Sequence, residues 1–346
     1  MNIMITGATG FVGTKLMHSL LEKGHNLFPV VRNEKKLSDF LTVLEKEKKD
    51  RIRPVFGDIT QPMFGLSEEE VSELNSKVDI LYHTAAYLSF DPDDREKTFF
   101  VNVEGTRHAL DVAKKLAIPR FYHVSTAYTA GLENEADEKL HVKNREFVND
   151  YEESKNHAEH LVMDKKDELK VSIFRPAIIV GDSETGEANT TFALYGLLKA
   201  VALLKKLIRR GRVNASDTIR LFSDPGASNN VVPVNHVVDV LTAAALHAKA
   251  GTIYHISNNH APENKQVVEW IKEKSGVQNL DITGNPAELS EKDEVINAPM
   301  SVFHTYLSRT VTFHNRNTQQ LLKDAGYPAF KLTDDQYSMM IGKYFE

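Results

Sequence analysis

The chain has 346 residues, a formal net charge of −6 and no cysteine. The acidic balance argues against nucleic acid as a main partner, and the missing thiols exclude disulfides and cysteine-held zinc or iron–sulfur clusters. Hydrophobic residues at 41% and charged residues at 26% suit a full core in one large or two medium domains.

Ile3, Met4 and Ile5 open the chain as a short buried strand. Gly7, Gly10 and Gly13 follow in a GxxGxxG turn, and Val12, Leu16, Leu20 and Leu21 then recur at helical spacing. Further strands are predicted over 26–31, 52–56, 79–82, 120–124 and 171–174. Helices are predicted between them over 34–49, 67–75, 98–117 and 150–167. Alternation at this spacing predicts a doubly wound parallel α/β sheet, a Rossmann-type domain over 1–180. Beyond it the rhythm changes. An apolar helix over 190–210, a strand at 231–234, a helix at 235–249 and a strand at 251–256 come first. Mostly helical stretches at 263–275, 286–311 and 317–346 complete an interwoven lobe over 181–346, with 230–260 returning to the first domain. No run of ~18–20 uncharged apolar residues is present to span a bilayer. No secretory segment is expected before the first strand, so the expectation is a soluble, cytoplasmic protein.

The strand–turn–helix context gives the glycines a physical role. Gly7 allows a tight turn, Gly10 a close backbone approach to a pyrophosphate, and Gly13 close helix–strand packing. A tight turn without ligand would use the same residues. Tyr151 and Lys155 lie four apart and share a helix face. A lysine charge beside a phenol is expected to lower its pKa from ~10, making a proton donor or acceptor usable near neutral pH. Thr126 places a hydroxyl at the carboxyl edge of the sheet, where ligands bind in open α/β folds.

Several stretches together resemble the extended short-chain dehydrogenase/reductase family over roughly residues 1–260. They are Thr-Gly-Ala-Thr-Gly-Phe-Val-Gly (6–13), Gly-Asp-Ile (57–59), His-Thr-Ala-Ala (83–86), Asn-Val-Glu-Gly-Thr (102–106), Val-Ser-Thr-Ala-Tyr (124–128), Tyr-xxx-Lys (151–155) and Arg-Pro-Ala-Ile-Ile-Val-Gly (175–181). The resemblance implies that Gly7, Thr9, Gly10, Phe11, Val12 and Gly13 cradle a nicotinamide dinucleotide. Asp58 and Ile59 would line its adenine, Ala85 and Ala86 would let the chain pass close to it, and Pro176 would lie near the nicotinamide. Tyr151 would be the general acid/base, Lys155 would bind the ribose and tune Tyr151, and Thr126 would hold the substrate oxygen. Ser125 is the neighbouring candidate for that last role. Asn102, beside the cofactor, is expected to brace the sheet edge.

Arg32 stands where NAD-preferring sites carry an acid at the end of the second strand. An arginine suits a 2′-phosphate through charge-assisted hydrogen bonds, favouring NADP(H) over NAD(H); otherwise Arg32 merely starts a solvated basic helix. Within the family, 123–128, 230–239 and 253–258 resemble the fatty acyl-CoA and carrier-protein thioester reductases, as 306–318 does more loosely. Within these residues nothing resembles the additional domains of many such enzymes, which leaves the substrate open. The 190–210 helix is read either as the wall of an acyl tunnel with a basic end (Lys205, Lys206, Arg209, Arg210) or as an ordinary lobe helix.

The expected activity is reduction of a carbonyl, either an acyl thioester of CoA or a carrier protein, or an aldehyde or ketone. On a thioester the first hydride gives a hemithioacetal that collapses to an aldehyde. The rivals are an NAD-dependent nucleotide-sugar epimerase or dehydratase, and a non-catalytic cofactor sensor. No metal is expected, since His157 and His160 share a helix face without a third ligand. A homodimer through the 98–117 and 150–167 helices is permitted. The Asn189-Thr190-Thr191 acceptor pattern has no role without secretion.

Overall fold

Ile3, Met4 and Ile5 are fully buried, Ile3 and Ile5 in one core cluster and Met4 in the other. A strand covered on both faces reads as a continuous apolar run, which belongs to a parallel sheet. In the structure, a computed structural model describing residues 1–32, 34–188, 194–214 and 216–346, this run is β1 (Asn2–Thr6). It is followed by β2 (Asn26–Val31), β3 (Val55–Phe56), β4 (Ile80–His83), β5 (Arg120–Val124), β6 (Lys170–Pro176) and β7 (Thr252–Ile256). All seven pair in parallel in the order β3-β2-β1-β4-β5-β6-β7. The order reverses between β1 and β4, so their carboxyl ends open the crevice in which ligands bind.

Helices cover both faces. Phe11–Glu22 packs on Val234–His247, where the Ser19 and Thr242 hydroxyls share a 2.8 Å hydrogen bond. Gly105–Lys115 and Asp150–Met163 lie on the opposite face. Residues 234–256 thus return to the large sheet, as β7 and the helix before it. The remainder of the second half is helical, with short parallel strand pairs inserted. Ile178–Val180 pairs with Val231–Pro233, Ile219–Phe222 with Leu280–Thr283, and Glu135–Ala136 with Thr312–Phe313.

Four expectations are corrected. The 34–49 helix divides into Glu34–Thr42 and Lys46–Lys49, because Leu44 turns into the core and Glu45 is extended. The third strand forms a ladder only at Val55–Phe56; Ile52 makes a single bridge to Leu27, and Pro54 brings no N–H to continue it. The 98–117 helix is Arg95–Phe99 and Gly105–Lys115 joined by a π-helical turn, Phe100–Glu104, whose extra residue places Asn102 inside. The 286–311 stretch is broken into short helices, Glu291–Asn297 and His304–Leu307, and 3-10 turns. The apolar helix is observed over Leu194–Arg209; its predicted start at Thr190 and the Asn189 acceptor pattern lie outside the described residues.

Candidate active site

Gly7 leaves β1 with φ +69°, a left-handed conformation that glycine adopts without strain. A Cβ here would stand 2.7 Å from the Ala85 amide nitrogen. The turns after β1 and β4 therefore touch through bare backbone, and Thr84 Oγ1 ties them by donating to the Thr6 carbonyl at 2.6 Å. A Cβ on Gly13 would collide with the Gly7 carbonyl oxygen. Gly10 is the N-cap of Phe11–Glu22 and brings no side-chain bond, and no acid sits in the first turn. The first amides of the helix are thus left for an anion. Thr9 is half-buried in the same turn. Bare backbone, open amides and no acid fit a dinucleotide pyrophosphate.

At the far end of the crevice Asp58 Oδ1 accepts from the Thr60 amide at 2.9 Å, while Oδ2 lies 3.9 Å from the Arg32 guanidinium. Arg32 is 74% exposed along its side chain. The basic group at the end of β2 thus stands beside an acid at the end of β3. Ile59 packs against Gly105, and its carbonyl accepts from His108 Nδ1 at 2.9 Å.

After β5 the chain turns into the sheet edge. Ser125 donates its amide to the Phe174 carbonyl at 2.7 Å, while its hydroxyl is buried without a partner. Thr126 Oγ1 accepts from the Tyr128 amide at 3.2 Å and keeps its own proton to donate. Tyr151 and Lys155 approach on the Asp150–Met163 helix, capped by Asn149, whose Oδ1 accepts from the Glu152 amide at 3.1 Å. Lys155 is 1% exposed and donates to the Val124 carbonyl at 2.7 Å. Burial pushes its amine down to about 7, against the pull of Glu159. Tyr151 is raised above the ordinary phenol range by burial first and by the neighbouring Glu152 second. The expected lowering of Tyr151 by Lys155 is therefore not found, because the lysine is committed to Val124 and only partly charged at neutral pH.

Asn102 is spent on a brace. Its Oδ1 accepts from the Tyr87 amide at 2.7 Å, and its Nδ2 lies 2.9 Å from both the Tyr87 carbonyl and Ser154 Oγ. The loop after β4 is strapped in this way to the tyrosine–lysine helix. His160 Nε2 donates to the His141 carbonyl at 2.8 Å, and the His157 ring meets Phe99 edge-on.

Part of this set borders one cavity of about 410 Å³, within the range of small-ligand sites. Phe11 and Val12 of the glycine turn line it, as do Thr84, Ala86, Ser125, Thr126, Tyr151 and Pro176. Gly7, Arg32, Asp58, Asn102 and Lys155 are not among its lining residues. Its remaining wall comes from Leu88, Phe90, Ile178, Ile179, Phe303 and Tyr306, together with Tyr128 and Glu152. That wall was missed. Glu152 lies inside the Tyr-Glu-Glu-Ser-Lys stretch, and its adjacency to Tyr151 was the available signal; nothing local marks Phe303. The Leu194–Arg209 helix does not line this cavity. Leu194 and Leu197 border a separate void of about 30 Å³, which also touches Phe303 and Tyr306. Lys205, at its basic end, donates to the Ser275 carbonyl at 2.8 Å.

Comparison with known proteins follows the same lines. Residues 5–241 match the family of NAD-binding domains described as male sterility protein. The chain belongs to that family. It is 28% identical over 284 residues to sterol demethylase protein B of Methylococcus capsulatus, covering 80% of this chain and 75% of that one. It is 26% identical over 331 residues to human fatty acyl-CoA reductase 2, covering 81% of this chain but only 61% of the human one. The terminal reductase domain of a myxalamid PKS-NRPS pathway superposes with a TM-score of 0.80 at 25% identity, over 99% of this chain and 89% of that domain. A dTDP-glucose 4,6-dehydratase from Streptomyces venezuelae, solved with NAD, has a TM-score of 0.70 at 18% identity, over 100% and 97% of the two chains. The last likeness concerns fold alone. That family is an NAD(P)-binding oxidoreductase family, and the chain is similar within it to fatty acyl-CoA reductases and to a thioester-type reductase domain of the extended short-chain dehydrogenase/reductase fold. Among the described residues no helix is long and apolar enough to cross a membrane.

Proposed function

We propose that this protein is an NADP(H)-dependent reductase of a carbonyl, with an acyl thioester of CoA or a carrier protein as first choice and an aldehyde or ketone as second. The observation that carries the reading is the shared cavity. The start of the dinucleotide helix, the Thr126 and Tyr151 hydroxyls and an apolar wall all border one space of about 410 Å³. Gly7, Gly10, Gly13 and the helix amides would hold the pyrophosphate, and Arg32 would meet a 2′-phosphate. A bound nicotinamide supplies the hydride in this chemistry.

The chain's own residues do the rest. Thr126 donates a hydrogen bond to the carbonyl oxygen, and Tyr151 donates its proton as negative charge develops there. A phenol raised by burial keeps its proton at neutral pH, which suits an acid in the reducing direction. Lys155 holds the Val124 carbonyl and so fixes the helix that carries Tyr151 against the turn that carries Thr126. The aromatic wall excludes water from the reacting carbon.

The test is oxidation of NADPH and NADH, followed at the nicotinamide absorbance, with a long-chain acyl-CoA and the matching aldehyde. Thioester turnover with NADPH is the expected result. Turnover of aldehyde alone narrows the substrate to free carbonyls, and preference for NADH removes the role of Arg32. Failure with both substrates and both cofactors overturns the reading.

A further inference from the structure

The substrate cavity contains one acid. Glu152 is completely buried and borders the cavity beside Tyr151. Its Oε1 accepts from the Tyr306 hydroxyl at 2.5 Å and its Oε2 from the Val148 amide at 3.0 Å. A carboxylate offers about four acceptor positions, so two remain unfilled. Among the described residues no cation is bonded to it. Arg309 favours its charge only from a distance, and the guanidinium donates instead to the Gly131 carbonyl at 2.7 Å. Burial accordingly pushes the acid up to about 7. An unpaired buried carboxylate is costly to the fold, and such groups in clefts concentrate at functional sites.

Among the described residues no further protein donor fills its remaining positions. Tyr306 has no proton to offer a substrate, since its one proton goes to Glu152, and its oxygen accepts from Asn149 Nδ2 at 2.8 Å. Ser125, with its unpartnered hydroxyl, borders the same space. Every other described lining residue is uncharged. We infer that Glu152 is a specificity residue: it receives a hydrogen-bond donor, a hydroxyl or an ammonium, carried on the acyl group close to the reacting carbonyl. The inference rests on the reductase reading. It selects 3-hydroxyacyl or aminoacyl substrates over plain fatty acyl ones of equal length.

Binding of the corresponding alcohol products tests this without turnover. Ligand-detected NMR on the full chain would compare hexan-1-ol, hexane-1,3-diol and 2-aminohexan-1-ol, with Glu152→Gln and Glu152→Leu as variants. A bond to a charged group corresponds to about tenfold or more in affinity. If the group is an ammonium, the amino alcohol binds wild type about tenfold tighter than hexanol, and both variants lose that advantage. If it is a hydroxyl, the diol is favoured, Glu152→Gln keeps part of the preference and Glu152→Leu loses it. Equal binding of all three to wild type overturns the inference and needs no variant. Preference unchanged in Glu152→Gln and Glu152→Leu also overturns it, leaving Glu152 as a strut between helix and lobe. Hexanal turnover with NADPH in the same samples separates the two readings: turnover without preference sinks only the subsite, and absence of both sinks the reductase as well.

Discussion

The two sides of the cavity are made by different means. The cofactor side is backbone: Gly7, Gly10 and Gly13 within seven residues of chain, working by what they lack. The substrate side is side chains: Phe90, Tyr128, Ile179, Phe303 and Tyr306, drawn from four separate stretches, the four rings packed against one another. Phe90 and Tyr306 lie 5.9 Å apart as stacked rings, and Tyr128 meets Tyr306 edge-on at 5.1 Å. A backbone cradle tolerates almost no change, whereas a wall of side chains can be recut. Substitutions should therefore be severe and uniform on the first side, graded and substrate-dependent on the second.

Gly13→Val carries the largest expected effect, since its side chain would enter the space of the Gly7 carbonyl. We expect no folded protein or, in what folds, cofactor binding weakened by more than about a hundredfold (~2.8 kcal/mol) in calorimetric titration. Wild-type affinity would end the cradle argument. Tyr151→Phe comes next. It removes a proton donor without disturbing the cradle, so kcat should fall about a thousandfold with cofactor affinity unchanged.

Lys155→Met separates catalysis from stability. The amine is held near 7 in the fold against ~10.4 when unfolded, so the unfolded chain binds more protons between those values. Wild-type stability should rise with pH across that window, because the cost of burying the charge is fully present below pH 7 and is relieved above it. The methionine variant should be inactive yet lack this rise. Its stability relative to wild type should be highest at pH 6 and fall by pH 9.5, as urea melts would measure. A difference independent of pH would mean that Lys155 is not buried as a charge.

The same contrast explains what could be read from the chain. Strands β1, β2 and β5 were legible to within a residue, because each is a local apolar run bounded by turn residues. The glycine turn was legible for the same reason. Ile219–Phe222 and Leu280–Thr283 were not, because each is a strand only through a partner some sixty residues away. The π-helical turn at Phe100–Glu104 hides inside a helical pattern, and only the buried bonds of Asn102 to Tyr87 and Ser154 reveal it. The sequence pair Tyr151–Lys155 was identified correctly as lying on one helix. The direction of the tyrosine shift was not, because burial and the reach of Lys155 to Val124 are tertiary facts.

Arg32→Ala probes the outer rim of the cofactor side. A largely exposed arginine gives a screened contact, so KM for NADPH should rise about tenfold while NADH is little affected. Equal changes for both cofactors would assign Arg32 to the surface.

The smallest and most telling changes belong to the substrate wall. Phe303 and Tyr306 border both the main cavity and the void of about 30 Å³ behind it. Phe303→Ala should join the two spaces and move preference toward longer acyl chains by several-fold in kcat/KM. The core around it costs about 3–5 kcal/mol to truncate at a buried phenylalanine, so a melting curve must accompany the rates. Gly196→Ala acts on the same ring from outside. Its Cβ would lie 2.9 Å from Phe303 Cε2, close enough to push the ring inward, while alanine favours the helix by about 1 kcal/mol. That variant should keep its fold and its cofactor KM and lose long-chain substrates first. Opposite shifts in chain preference from Phe303→Ala and Gly196→Ala would establish the aromatic wall as the adjustable half of the site. Parallel shifts, or a change in cofactor KM with either, would mean that the two sides are mechanically coupled and that the contrast between them fails.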